Sequence, residues 1–353
     1  MKSDLKFFKN AKSLPVDKFI YNVLYDKRYG YYNSKQPLGI SGDFVTAPKI
    51  SNLFSEMIGI WLVYTWENLG RPKNFNVVEL GPGDGSLTIT LLNVFKKFPK
   101  FNSVKRLYLF EKSKLLKKLQ KKNIYNREVK WINNLNNIHK GPIIFFGNEF
   151  FDAIPIKQFK KKNNSLLEKY FTIEKSKINE IYKTATDKDI KLINSFKTLK
   201  RLNFIEFPKK GFNELQKIIN KISSLNGCLL LIDYGYLKPN NQDTIQSVMK
   251  HKKNYFLNNL GKADITSHVN FTLLNEFFRK NNLKVKKIIT QKEFLTKLGI
   301  YKRAEMISKK MKFSDQTNLY LRLKRLLSPN LMGRLFKVSL AYNFKKNTFR
   351  GFK

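Results

Sequence analysis

The sequence is poor in the residues that build metal and disulfide chemistry. It has one cysteine, Cys228, and three histidines, His139, His251 and His268, far apart in the chain. A disulfide framework and a cysteine-built zinc site are therefore excluded, and a histidine-rich metal site is not expected. No metal is expected to take part. Long apolar runs are also missing. The longest, Met57 to Tyr64, spans 8 residues with a glycine in it, far short of the roughly 20 that cross a bilayer. No transmembrane segment is expected. The opening MKSDLKFFKNAKSLP carries an early Asp4 and lacks the apolar centre of a secretory signal. It is also poor in arginine, unlike a mitochondrial transit peptide. The expectation is a bacterial cytoplasmic protein.

Acidic residues are scarce too. Lysine and arginine number 68 against 26 aspartates and glutamates, a net charge of +42. Arginine supplies only 11 of the 68. A surface that reads nucleic acid favours arginine, whose planar fork grips phosphate and guanine. The lysines are spread along the whole chain and accompany abundant Asn, Ile and Phe, as A- and T-rich codons would give. The charge is read as solvated surface, and no specific nucleic-acid partner is expected. What remains is ordinary for a folded chain of 353 residues: 42% hydrophobic and 27% charged.

Residues 13–70 read as helices around a loop. Val16, Phe19, Ile20, Val23 and Leu24 recur at helical spacing. Residues 29–48, YGYYNSKQPLGISGDFVTAP, have turn chemistry. Thr46 and Pro48 suit a helix start, and that helix is expected to run through Trp61 to Gly70. From residue 75 short apolar strands alternate with helical stretches. The strands are expected at Asn76–Leu80, Leu107–Phe110, Val129–Ile132, Ile143–Phe146, Cys228–Ile232, Val285–Thr290 and Phe336–Ala341. Such alternation predicts a parallel, doubly wound α/β sheet. Residues 156–206 break the rhythm with short alternating strands and read as an insertion. Residues 235–262 read as a long Asn- and Lys-rich loop, and 264–271, DITSHVNF, as an irregular turn.

Three constellations carry chemistry. The first is VVELGPGDGSL, residues 77–87. Gly81, Gly83 and Gly85 let the backbone turn sharply and approach a ligand, with Glu79 just ahead and a helix N-terminus behind. The spacing is G-x-G-x-G rather than the dinucleotide pattern G-x-G-x-x-G, which disfavours an NAD-linked dehydrogenase. The second is Glu111 at the end of the next strand, 26 residues beyond Gly85. A carboxylate there offers acceptors to both hydroxyls of a ribose. The third is FFGNEFFDAIP, placing Asn148, Glu149 and Asp152 beyond the fourth strand. Acids and an amide at a strand end suit a guanidinium, which pairs with carboxylates in a fork. Asp264, Thr266 and His268 can share one side of the DITSHVNF turn. Cys228, between a glycine and leucines, reads as core, and His139 and His251 as plain surface.

Motif I, ELGPGDG, resembles that of class I S-adenosylmethionine (SAM) methyltransferases. GDFVTAP, ELGPGDG, NEFFDAIP, LLLIDYG and DITSHVNF, in this order over roughly residues 16–340, resemble the MidA-type family. That family is related to the mitochondrial complex I assembly factor that dimethylates an arginine. The resemblance implies a Rossmann-like class I methyltransferase sheet, an N-terminal helical cap over residues 1–70, and a core over 71–345 with residues 156–206 as an inserted lid. It implies SAM as the cofactor, held by Glu79, Gly81, Gly83, Gly85, Glu111 and Asn148, with Gly42, Phe44 and Thr46 of the GDFVTAP loop over it. It implies a protein substrate, the 49-kDa-type subunit of NADH:quinone oxidoreductase, dimethylated symmetrically on arginine during assembly. Glu149 and Asp152 are then the expected arginine-holding acids, with His268 a further catalytic candidate. An RNA or other nucleic-acid methyltransferase, and a SAM-binding assembly factor without activity, stay open as alternatives. The first lacks an N-P-P-Y-type element, since NEFFD stands in its place.

Overall fold

A computed structural model describes residues 5–34, 46–125, 128–163, 165–175, 177–238, 240–346 and 348–352. Its strands are β1 (Ser13–Pro15), β2 (Phe75–Leu80), β3 (Lys105–Phe110), β4 (Val129–Ile132), β5 (Ile143–Asn148) and β6 (Lys157–Lys162). Then follow β7 (Ser165–Glu174), β8 (Lys177–Thr184), β9 (Phe204–Phe207), β10 (Gly227–Tyr236), β11 (Gln246–Met249) and β12 (Lys252–Asn254). The last are β13 (Asp264–Thr266), β14 (Val269–Asn270), β15 (Lys284–Val285), β16 (Ile289–Thr290) and β17 (Phe336–Tyr342). The helices are α1 (Val16–Tyr25), α2 (Tyr31–Ser34), α3 (Ala47–Ile50), α4 (Asn52–Asn68), α5 (Ser86–Lys96), α6 (Pro99–Val104) and α7 (Lys114–Asn123). They continue with α8 (Asp187–Asn194), α9 (Lys209–Leu225), α10 (Phe271–Lys280), α11 (Gln291–Lys297), α12 (Ile300–Ser308), α13 (Phe313–Leu327) and α14 (Met332–Leu335). Among the described residues no helix is long and apolar enough to cross a membrane.

The chain forms two compact units. The first gathers residues 1–44, 151–216 and 236–277; the second gathers 45–150, 217–235 and 278–353. The first boundary falls at 44/45 rather than the expected 70. The reason is α4, whose buried Phe54, Trp61 and Leu62 belong to the same core as Phe75, Leu91 and Phe95. The added unit is also wider than 156–206, because the N-terminal segment and residues 236–277 join it.

The second unit is built on a sheet in the order β15-β17-β10-β5-β2-β3-β4. From β10 to β4 all neighbours are parallel. The side chains of β2 and β5 are almost wholly buried, as strands covered on both faces must be, which is why they read as unbroken apolar runs. β17 departs from the expected all-parallel sheet: it runs antiparallel to β10, pairing Leu230 with Leu340. The single strand expected over Val285–Thr290 is two short pieces on β17. The helix expected from residue 47 to 70 is also broken. Ser51 is extended (φ −156°, ψ 131°) and its hydroxyl accepts from Leu53 N, so it ends α3 and caps α4.

The first unit holds an antiparallel sheet, β1-β7-β6-β9 with β8 on β7. α1 buries Phe19, Ile20, Val23 and Leu24 in its core, and Phe19 meets the ring of Phe171 at 4.9 Å. Residues 235–262 are more ordered than a loop. They carry β11 and β12, and β11 pairs in turn with β13 of the DITSHVNF segment, so Asp264 and Thr266 sit in a strand.

Leu230 is 1% exposed and stands between Leu340 of β17 and Phe146 of β5. Leu230→Ala removes a central side chain that its two strand neighbours cannot replace. It should cost about 3 kcal/mol of stability, read as a lower urea midpoint with an unchanged slope.

Candidate active site

The site in the second unit follows from chain order. From β2 the chain steps outward to β3 and β4, then returns to the other side of β2 for β5 and β10. In open α/β sheets that reversal leaves a crevice beyond the carboxyl ends of the strands. Register brings those ends level: Leu80 lies opposite Phe110, Glu79 opposite Phe146, and Ile232 opposite Asn148. Gly81, Glu111 and Asn148, from three strands, therefore emerge along one edge.

The glycine loop has φ of +61° at Gly81, +59° at Gly83 and +86° at Gly85. Only glycine adopts these angles without strain. A Cβ on Gly85 would also lie 2.8 Å from Ile124 Cδ1. Gly81 N donates to Phe110 O at 3.1 Å, and the ring of Phe150 sits 3.1 Å from where a Gly81 Cβ would stand. Lys49 of α3 holds Asp84 of the loop at 2.7 Å.

Two buried acids flank this loop. Glu79 accepts from the Thr88 hydroxyl, and burial pushes its carboxyl up to about 7 against that bond, with Asp84 adding to the rise. No described lysine or arginine pairs with it. Glu111 accepts from Ser113 N at 2.7 Å and Gln120 Nε2 at 3.2 Å. Burial raises its pKa, and these bonds oppose the rise.

Gln120 is the residue that sequence reasoning missed. Fully buried, it donates to Gly83 O at 2.8 Å and to Glu111, and accepts from Trp131 Nε1 at 3.0 Å. It thus ties the loop to the acid. The signal was present: Gln120 stands four residues after buried Leu116, on the apolar phase of α7.

At the end of β5, Glu149 takes a left-handed conformation (φ +51°). Its backbone N donates to Ile232 O at 2.9 Å, and its carboxylate receives Asn148 Nδ2 at 3.1 Å and Ala47 N at 3.4 Å. Asn148 Oδ1 is buried and accepts no hydrogen bond. Thr46 precedes α3 and makes no side-chain cap bond. Gly42 and Phe44 lie outside the described residues.

Asp152 and His268 belong to the first unit. Asp152 is 5% exposed, and its carbonyl accepts from Ser267 N at 3.0 Å. His268 N donates to Thr244 Oγ1 at 3.0 Å, and the residue lines a cavity of that unit. Asp264 accepts from the Tyr32 hydroxyl at 3.3 Å. The structure thus brings Glu79, the three glycines, Glu111, Asn148 and Glu149 into one unit, and sets Asp152 and His268 in the other. Cys228 is fully buried, and burial raises its thiol pKa, as a core position requires.

A G-x-G-x-G loop at the switch point, with an acid ending the neighbouring strand, defines a class I SAM-binding enzyme. The chain belongs to the family of S-adenosyl-L-methionine-dependent methyltransferases, whose model matches residues 57–289. It is 31% identical over 306 residues to the Caenorhabditis elegans protein arginine methyltransferase NDUFAF7 homolog, mitochondrial, covering 78% of this chain and 70% of that protein. It is 28% identical over 356 residues to the Xenopus tropicalis protein arginine methyltransferase NDUFAF7, covering 93% and 82%. Its fold is similar to that of a COG1565 superfamily member from Burkholderia thailandensis solved with S-adenosyl-homocysteine bound, with a TM-score of 0.84, 20% identity, and 99% and 93% of the two chains covered.

The residues fit SAM. Among the described residues Glu79 is a buried carboxylate without a cation, and Asn148 Oδ1 is a buried acceptor without a donor. SAM is cationic at sulfur and carries an ammonium and an amine as donors. The glycine loop would pass along it and Glu111 would accept from its ribose.

Two outcomes follow. Gln120→Leu keeps the volume of a buried side chain but removes the donors to Gly83 and Glu111. SAM affinity by calorimetry should fall about tenfold, the roughly 1.4 kcal/mol expected for loss of buried hydrogen bonds. Glu79 binds its proton more tightly folded than unfolded, so its ionisation opposes folding. Stability without ligand should fall as pH rises from about 4.5 to about 7 and stay lowered above that. Glu79→Gln should flatten this slope and, at pH 8, exceed the wild type by about 2 kcal/mol, measured by urea unfolding at pH 5, 6, 7 and 8.

Proposed function

We propose that this methyltransferase acts on arginine in a protein, forming symmetric dimethylarginine on the 49-kDa-type subunit of NADH:quinone oxidoreductase during assembly. The observation that carries the arginine reading is the 28% identity, over 93% of this chain, to a protein named as a protein arginine methyltransferase. The substrate subunit rests on the motif resemblance, from GDFVTAP to DITSHVNF.

When bound, SAM supplies a methyl group on sulfonium sulfur, open to attack by a nitrogen lone pair. Arginine is a poor nucleophile because its guanidinium stays protonated and delocalised. The chain must therefore orient it and localise its charge on the nitrogens that do not react. In this proposal Glu149 and Asp152 are the candidate hydrogen-bond acceptors, since carboxylates pair with a guanidinium. His268 is a third candidate, as acceptor of the proton released when the new N–C bond forms. Positioning the attacking nitrogen supplies most of the rate, and exclusion of water strengthens each acid's field.

The test separates binding from chemistry. Glu149→Gln and Asp152→Asn preserve size and remove charge. Each should lower methyl transfer at least about tenfold, roughly 1.4 kcal/mol of transition-state stabilisation, while SAM affinity changes far less. Transfer would be read with tritiated methyl on lysate from a strain lacking the protein, and the labelled residue identified by hydrolysis. Label in nucleic acid, or on a residue other than arginine, would overturn the reading. Loss of SAM affinity in step with activity would move both acids to the cofactor site.

A further inference from the structure

The first unit has a cavity that His268 lines and whose acid, Glu206, has no part in the methyl-transfer chemistry above. Phe151, Phe212, Ile156 and Leu274 form its apolar walls, and Glu206, Tyr236, His268 and Asn270 bring polar atoms to it. The space in the cavity and its mouth is about 350 Å3.

Glu206 is its unusual member. It is 8% exposed, and all its partners are neutral. Thr244 N and Gln158 Nε2 donate to Oε1 at 2.9 and 3.0 Å, and the Thr244 hydroxyl donates to Oε2 at 2.5 Å. A carboxylate has about four acceptor sites, so a place remains on Oε2. No described lysine or arginine pairs with it. Two other buried acids of the same unit are paired with lysines: Glu168 with Lys157, and Asp189 with Lys157 and Lys209. Without a basic partner among the described residues of a chain with 68 basic residues, this buried acid suits a cation from elsewhere. Burial pushes its carboxyl up to about 7, with nearby Asp243 adding to the rise and the bonds from Thr244 and Gln158 opposing it. Next to it, Gln158 Oε1 is fully buried and accepts no hydrogen bond. Tyr236, near enough to feel the charge of Glu206, has its hydroxyl pKa raised by burial and by that charge, so it stays protonated and neutral.

We infer that this cavity is a guanidinium-binding pocket, with Glu206 as its anionic end, that takes an arginine side chain of the protein substrate. The inference rests on the arginine methyltransferase reading for the source of that side chain, not for the chemistry of the pocket. A guanidinium is flat, carries five donors in a fork, is weakly hydrated, and rests well against aromatic rings. An ammonium offers the charge without the plane or the fork.

Binding of Nα-acetyl-arginine methylamide to the full chain tests this, by ligand-observed NMR, against the citrulline and lysine counterparts. Citrulline keeps the shape and removes the charge. The arginine compound should bind at least about tenfold more tightly than either. Glu206→Gln should abolish that preference while leaving SAM affinity within about twofold. Ile156→Phe, which narrows the cavity without touching the acid, should weaken binding of the arginine compound and serves if Glu206→Gln does not fold. Equal binding of arginine and citrulline compounds, equal binding of the lysine compound, or a preference that survives both substitutions would overturn the pocket. The identity of the methylated residue is a separate measurement. Arginine methylation with no preference here removes the pocket and leaves the reaction; binding here with methyl on another residue does the reverse.

Discussion

The level ends of β3, β2, β5 and β10 are the constraint on which the site in the second unit depends. Parallel pairing in register puts Phe110, Leu80 and Asn148 at one edge, so whatever follows each strand is delivered to the same crevice. A shift of one residue in β2 against β3 would turn Glu79 to the opposite face and take Gly81 away from its bond to Phe110. The strands are held in that register by burial on both faces. The chemistry beyond them is then set by what the loops carry: a glycine turn after β2, an acid after β3, an amide and an acid after β5.

Each unit contains a buried glutamate that no described lysine or arginine satisfies, although the chain is lysine-rich. Glu79 and Glu206 are both pushed up to about 7 chiefly by burial, and the bonds that oppose the rise come from neutral donors. Long lysines could have been placed beside them, as Lys157 is beside Glu168. Leaving such groups unpaired costs stability in the unliganded chain. In the two sites proposed above, a cationic ligand would offset that cost. Strong local fields and a large net charge are thus different things here: +42 describes the surface, while the two sites are locally acidic.

Much of the second unit was legible because its signals are local. Apolar runs mark strands buried on both faces, and Val129–Ile132 agrees to the residue with its sequence-based bounds. The glycine loop and Glu111 are legible from spacing alone. What escaped is non-local. The antiparallel β17 has the same apolar run as a parallel strand, so its direction is invisible in its residues. Gln120 looks like one more polar side chain among lysines until its phase on α7 is noticed. Ser51 breaks a helix that every flanking residue would have continued. The gathering of residues 1–44, 151–216 and 236–277 into one unit joins segments separated by whole strands and helices, and no composition shift announces it.

The chain path also explains why the NEFFDAIP motif carries so much in so few residues. Asn148 ends a buried strand of the second unit, Phe150 packs over Gly81 and Gly147, and Phe151 already lines the cavity of the first unit. The left-handed backbone of Glu149 lies just before this change of unit, pinned through its amide to Ile232 O. Strain of this kind, of order 1 kcal/mol, persists only where surrounding bonds over-determine it. A motif that ends one unit and opens the next leaves little freedom in either direction: its phenylalanines are set by packing on both sides, and only its acids and amide remain for chemistry.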